Sequence, residues 1–405
     1  MTLSRRWLAA ILVVQALAVA GCGGHRGPTP PGGAPTTAGS TDGGTGADGA
    51  VGGTGSSEGP DRPIHAEEAW RWPAPPPGSV GMPAADDDGA SATYGHLRLV
   101  LLGLEGSLRW EVERLGLRDV APALTADLVV AATEEGVLAV DRATGKLRWD
   151  TQVGERANSP VIVGRRAVVS TWEGSLTAFD LADGHVAWRT ALPGSSIGPA
   201  ATDGSAVAVT WESTHGEAAG AVVVDGGDGR QRWSVSLTPG GVGGPAIVEL
   251  PAGAGPGSVV VAVAGDIAAH ALDLADGHER WRAATEGRGS PEVPPLPLGN
   301  GEVLVAHRLA GLMLVDADTG ADRWVGSAAD GAAVRGGPVG SGPDGPFAFP
   351  IDDGRLYLIG PGLEPNRLDW PGRVSGVAMT SDGLLLVATR EARANYLIAL
   401  DVAAA

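Results

Sequence analysis

The sequence predicts an all-β chain folded as an eight-bladed β-propeller of four-stranded blades, and three observations predict it. The motif Asp-x3-Gly-x3-Trp occurs five times with constant internal spacing: Asp141, Gly145 and Trp149; Asp180, Gly184 and Trp188; Asp225, Gly229 and Trp233; Asp273, Gly277 and Trp281; Asp316, Gly320 and Trp324. Successive repeat tryptophans from Trp110 to Trp370 (Trp110, Trp149, Trp188, Trp233, Trp281, Trp324 and Trp370) lie 39 to 48 residues apart, the length of one four-stranded sheet with its turns. Between them run short apolar stretches bounded by turn residues, without helical periodicity.

Each part of the repeat has a physical job. The stretches before the aspartates, such as Gly136 to Val140, Leu176 to Phe179 and Leu312 to Val315, are strands. Asp opens a turn, because its carboxylate accepts backbone N–H groups two residues on, and Gly supplies the positive φ of a tight connection. The returning strand carries Trp, whose indole N–H needs a partner once buried. Upstream lies a further pair of strands, often opening at proline, as at Pro160 and Pro199, with Pro83, Pro122, Pro245 and Pro338 placed similarly. Proline is tolerated at the first residue of a strand, where no ladder donor is lost.

Two weaker copies keep only the end of the motif: Gly106 with Trp110, and Asn366 with Trp370. The chain finishes with Tyr396 to Val402, the third strand of a unit, whereas Trp70 and Trp72 stand alone near the start. Segment 66–74 is therefore read as the missing fourth strand that closes the ring, which leaves no free sheet edge at the seam. This count gives eight blades; a seven-bladed ring is the alternative if the Trp110 strand is the closing one.

Ahead of the ring, Arg5 and Arg6 precede an apolar run from Trp7 to Ala20, short of the roughly 20 residues of a membrane span and suited to a signal peptide over 1–21. The run ends in Val19-Ala20-Gly21-Cys22, which resembles a lipobox, so Cys22 is expected to be lipidated. Either the Sec or the twin-arginine route suits this leader. Residues 22–65 are rich in Gly, Pro, Ser and Thr and read as a disordered tether, with the propeller over 66–405. Cys22 is the single cysteine, so no disulfide is expected and a large core must hold the ring together. The net charge of −18 disfavours nucleic acid as a partner.

A short apolar strand followed by Asp-x3-Gly-x3-Trp, seen best at Ala178-Phe179-Asp180, Ala271-Leu272-Asp273 and Ala399-Leu400-Asp401, resembles the PQQ-like propeller repeat over about residues 66–402. The resemblance implies that each repeated Trp docks onto the neighbouring blade. It also implies two kinds of function: quinoprotein dehydrogenases that bind PQQ and calcium, and non-enzymatic lipoproteins similar to the B lipoprotein subunit of the outer-membrane β-barrel assembly machinery. The dehydrogenases carry a pair of adjacent cysteines over the cofactor and long inserts, and neither is present between the blade motifs. Asp316-Ala317-Asp318 lacks the downstream Glu of a calcium loop, and Asp86-Asp87-Asp88 reads as a solvated turn. No catalytic residue, metal or cofactor is therefore expected.

The expected function is a monomeric, membrane-anchored scaffold that binds other cell-envelope proteins, with a place in outer-membrane protein assembly. The alternatives are a quinoprotein-type enzyme and a small-molecule-binding sensor. The expected location is the outer membrane of a two-membrane cell, or the outer face of the plasma membrane otherwise. Arg118, Arg156, Arg288, Arg335 and Arg373 fall just before strand-opening positions, in connections that a propeller gathers at one mouth of its channel. Together they predict a cationic rim for acidic partner segments, with local pairing to neighbours such as Asp119 and Glu155 as the alternative. The connection from Trp211 to His215 reads as a second surface with an exposed aromatic.

Overall fold

The computed structural model describes residues 64–404 apart from 76–77, 252–256, 265–267, 285–292, 308–310, 327–336, 343–344, 352–354, 361–364, 370–371 and 392–393. The expected leader, Cys22 and the tether up to residue 63 lie outside the described residues, as do Arg288, Arg335 and Trp370, whereas Ile64 and His65, read as the end of the tether, already belong to a strand.

The described strands form eight antiparallel four-stranded sheets. Blade 1 is Ala84–Asp86, Gly89–Tyr94, Arg98–Leu102 and Leu108–Glu113, hydrogen-bonded in that order. Blades 2 to 7 repeat the order over 123–152, 161–191, 201–237, 246–284, 296–326 and 339–369. Blade 8 is composite: Arg373–Met379, Leu384–Arg390 and Asn395–Ala404 are followed by the distant segment Ile64–Ala74 as fourth strand. That ladder runs from Ile64 opposite Ala404 to Ala74 opposite Asn395, with one bulge between Glu68 and Trp70. The first strand of blade 1 touches those of blades 2 and 8, so the ring closes on itself with eight blades.

Second and third strands are mostly apolar because they are covered on both faces, and the polar side chains they bury are chiefly Ser and Thr. Leu128–Ala132 is buried at every position, and so is Gly136–Asp141 up to its final Asp. The core lies between adjacent sheets. Val168, Leu176, Ala178 and Trp188 of blade 3, for example, share a cluster with Val207, Val209 and Val222 of blade 4.

The repeated motif is a reciprocal lock between blades. Asp141 Oδ1 accepts the Thr144 N–H at 2.9 Å, and the Gly145 N–H returns to the Asp141 carbonyl at 2.8 Å. Gly145 sits at φ +68°, and a Cβ there would come within 2.9 Å of the Trp110 indole of the preceding blade, so only glycine fits. The same contact pairs Gly184 with Trp149, Gly229 with Trp188, Gly277 with Trp233 and Gly320 with Trp281. Each indole N–H then donates to the carbonyl just after the next motif's Asp. Trp110 reaches Arg142 at 2.7 Å, Trp149 reaches Leu181 at 3.0 Å, and Trp188 reaches Gly226 at 3.2 Å. Trp233 reaches Leu274 at 2.9 Å and Trp281 reaches Ala317 at 2.9 Å. Trp70 of the closing strand does the same to Leu104, with Gly106 against its ring, so the seam uses the same lock as the other joints.

Two local expectations change. Trp211 is buried at the end of Ala206–Glu212, packed against Gly220, so the connection after it presents no exposed indole. Asp86 is not simply solvated: its carboxylate chelates the buried guanidinium of Arg142 from blade 2, at 2.5 and 2.6 Å. Burial alone would push the Asp86 carboxyl up, but Arg142 and the N–H groups of Asp88 and Gly89 outweigh it and hold it below the usual carboxylate range.

Candidate partner-binding face

Antiparallel blades sort their connections onto two faces. Turns joining first to second and third to fourth strands, including the Asp–Gly turns, lie on one face. Turns joining second to third strands lie on the other, together with the connections between blades. Hydrogen bonds show this second set meeting: the Trp172 N–H, from the middle turn of blade 3, donates to the Arg156 carbonyl in the connection entering that blade. The Glu134 N–H, from the middle turn of blade 2, likewise donates to the Gly116 carbonyl.

On this second face the structure brings Arg118 and Arg156 together around a residue that the sequence did not single out. The guanidinium carbons of Arg118 and Arg156 lie 5.8 and 5.1 Å from a Trp172 ring centroid. Trp172 is 37% exposed, the only tryptophan among the exposed large apolar residues described. Its indole N–H donates to Asn158 Oδ1 at 3.0 Å. Asn158 is itself 4% exposed, and its amide donates to Ser170 Oγ at 3.0 Å, Ser196 O at 2.8 Å and Gly198 O at 3.1 Å. The indole is thus fastened to three segments of blades 2 to 4.

Both arginines are paired, though not to the neighbours expected from sequence. Arg156 donates through its backbone N–H and Nε to Glu173, at 2.9 and 2.8 Å. Burial pushes the Glu173 carboxyl up, but these two donors hold it below its ordinary value. Arg118 donates through Nη1 to both oxygens of Glu134, at 3.2 and 3.3 Å. Asp119 faces His96 Nε2 at 3.2 Å instead, and burial pushes its carboxyl up. Glu155 is taken by Arg189. Exposed Leu115 and Ile197 stand in the connections before and after the cluster. A hollow of about 250 Å³, lined by Leu115, Gly116, Glu134 and Gln152, adjoins Arg118.

Of the other predicted rim residues, Arg373 begins the first strand of blade 8, opposite Arg390, rather than standing in a connection, and it is not part of the Trp172 cluster. Arg288 and Arg335 are outside the described residues. Among the described residues no group of three His, Cys, Asp or Glu is placed to hold a metal ion.

The comparisons with known proteins agree with this architecture. No curated protein matches the sequence. Among solved structures, BamB from Moraxella catarrhalis superposes with a TM-score of 0.62 at 15% identity, over 83% of this chain and 98% of that one. A europium-containing methanol dehydrogenase gives 0.62 at 13% identity, over 82% and 85%. The C-terminal WD40 domain of Sif2 gives 0.62 at 11% identity, over 82% and 97%. At these identities the likeness is one of fold.

The dehydrogenase neighbour raises the question of PQQ, a quinone bearing three carboxylates. The described first strands, which surround the ring centre, are built from residues such as Ala84, Ala85, Leu124, Val161, Ile162 and Val248. Their charged members are Asp86, Glu249 and Arg373, and Asp86 is already chelated by Arg142. Among the described first strands, the side chains thus supply one cation and two carboxylates toward such an anion. The family model for outer membrane protein assembly factor BamB matches residues 95–248 and 218–361, more than half of the sequence, and the chain belongs to that family.

Proposed function

We propose that this propeller is a non-enzymatic, lipid-anchored scaffold that holds other cell-envelope proteins through the face bearing Trp172. The observation that carries the reading is the Arg118–Trp172–Arg156 cluster itself. It is an exposed Trp–Arg group, the side-chain chemistry most enriched at binding hot spots, preorganised by a buried asparagine. The match to the BamB family supports an envelope location and protein partners in outer-membrane assembly.

A photo-crosslinking residue at Ile197 should capture envelope proteins in living cells, and the same residue at Arg165, in the turn between the first and second strands of blade 3 on the opposite face, should not. Equal capture at both positions would remove the face assignment. The anchor has its own check: Cys22→Ser should move the chain from the membrane to the soluble envelope fraction and abolish labelling by an alkyne fatty acid. Persistence of either signal rules out Cys22 as the attachment point.

A further inference from the structure

The guanidinium carbons of Arg118 and Arg156 lie 5.8 and 5.1 Å from a Trp172 ring, the range of a cation–π contact, with the Arg156 side chain 47% and the Arg118 side chain 15% exposed. Arginine is the side chain whose planar donor fork matches a carboxylate, and a contact through the ring uses none of its N–H donors. At Arg156, Glu173 uses the Nε and the backbone N–H, while Nη1 and Nη2 have no hydrogen-bond partner among the described residues. At Arg118, Glu134 uses Nη1, Nη2 has no partner among the described residues, and Nε is buried without one. Trp172 has no donor left to offer, because its N–H is spent on Asn158. The indole therefore works as a fixed spacer, and ordering two long side chains is largely accomplished before anything binds.

The surroundings narrow the class of ligand. The protein carries a net charge of −18, so an acidic chain is repelled by most of its surface and held only where cations are aimed outward. Leu115 is exposed three residues before Arg118, and Ile197 is exposed between Ser196 and Gly198, whose carbonyls Asn158 holds, so apolar side chains stand next to the segments that build the cluster. We infer that the Arg118–Trp172–Arg156 cluster is a two-pronged carboxylate receptor for an extended partner segment that alternates acidic and apolar residues. This rests on the scaffold reading above and names the partner chemistry of that face.

The test uses the full chain and a capped hexapeptide of alternating Glu and Leu, against the same peptide with Gln for Glu, read by polarisation of a terminal dye. The Glu peptide should bind at least about tenfold more tightly than the Gln peptide, and its affinity should fall as salt rises. Trp172→Ala and Arg156→Lys should each weaken it about tenfold, with the melting temperature unchanged in Arg156→Lys and a cooperative unfolding transition kept in Trp172→Ala. Trp172→Phe, which keeps a stacking ring but loses the Asn158 bond, should fall between. Glu173→Gln should tighten binding by releasing Arg156 Nε. Equal affinity for the two peptides, or native affinity in Arg156→Lys and Trp172→Phe, would overturn the inference. If the Glu peptide is preferred but Ile197 captures nothing in cells, the scaffold reading fails and the receptor stands. Capture without Glu preference gives the reverse.

Discussion

Trp149→Ala should destabilise the propeller by about 3–5 kcal/mol, measured as a lower urea midpoint at unchanged slope. Trp149 is buried at the joint between blades 2 and 3, stacks on Phe179 with ring centroids 6.4 Å apart, and donates to the Leu181 carbonyl. Truncation removes a large apolar area and leaves a cavity against Gly184, whose missing side chain cannot fill it. It also strands a carbonyl that blade 3 cannot satisfy otherwise, which adds about 1–3 kcal/mol of the total. Trp172→Ala is the internal control. Its ring is 37% exposed and fills no joint between blades, so the change should cost only the indole bond to buried Asn158, about 1–3 kcal/mol, while binding is lost. A Trp149→Ala protein within 1 kcal/mol of the parent would mean that the motif tryptophans do not lock the blades.

Arg142→Ala should cost about 3 kcal/mol, the low end for breaking a buried pair, because the surviving Asp86 carboxylate can partly rehydrate. The guanidinium also donates to the Thr125 carbonyl of its own blade at 2.7 Å, so it ties blade 1 to blade 2 through two hydrogen bonds to Asp86 while fixed within blade 2 by a third. Surface pairs give the contrast. Arg148 reaches Asp141 at 2.7 Å but is exposed, so Arg148→Ala should fall in the range of about 0.2–1 kcal/mol. The pH dependence follows from the sign of the Asp86 shift. Its folded-state pKa is depressed, so its contribution is fully present above the unfolded value near ~4 and is lost as pH falls through the lower folded value. Acid unfolding of the parent below about pH 4 should therefore be steeper than that of Arg142→Ala. Identical acid transitions would show that this clamp contributes nothing.

The ring is legible in the sequence because each part of the lock is local: Asp, Gly and Trp sit at fixed offsets, and the solitary Trp70 announces the strand that closes it. The cluster on the second face is less so. Arg118 and Arg156 stand out by their positions before Pro122 and Pro160, but Trp172 belongs to a four-residue turn whose counterpart in blade 2 is Thr133-Glu134-Glu135-Gly136. The one available signal was an aromatic where that counterpart has a carboxylate. Its meaning depends on the stacking of blade on blade, which no local pattern encodes. Ion pairing failed for the same reason. Arg118 bypasses adjacent Asp119 for Glu134, and Arg142 reaches back 56 residues to Asp86, because connections of different blades lie closer than sequence neighbours do. Trp211 is buried because the strand Ala206–Glu212 runs two residues into the stretch that reads as a connection.

Ile64–Ala74 zips onto Asn395–Ala404, so the ladder that seals the wheel is made by segments more than three hundred residues apart. Closing so long a loop carries an entropy cost that every other rung, formed between near neighbours, avoids. During biogenesis, seven petals can assemble in order of emergence while the eighth waits as an unmatched edge. The keystone of this arch is set last, by the first strand to leave the ribosome.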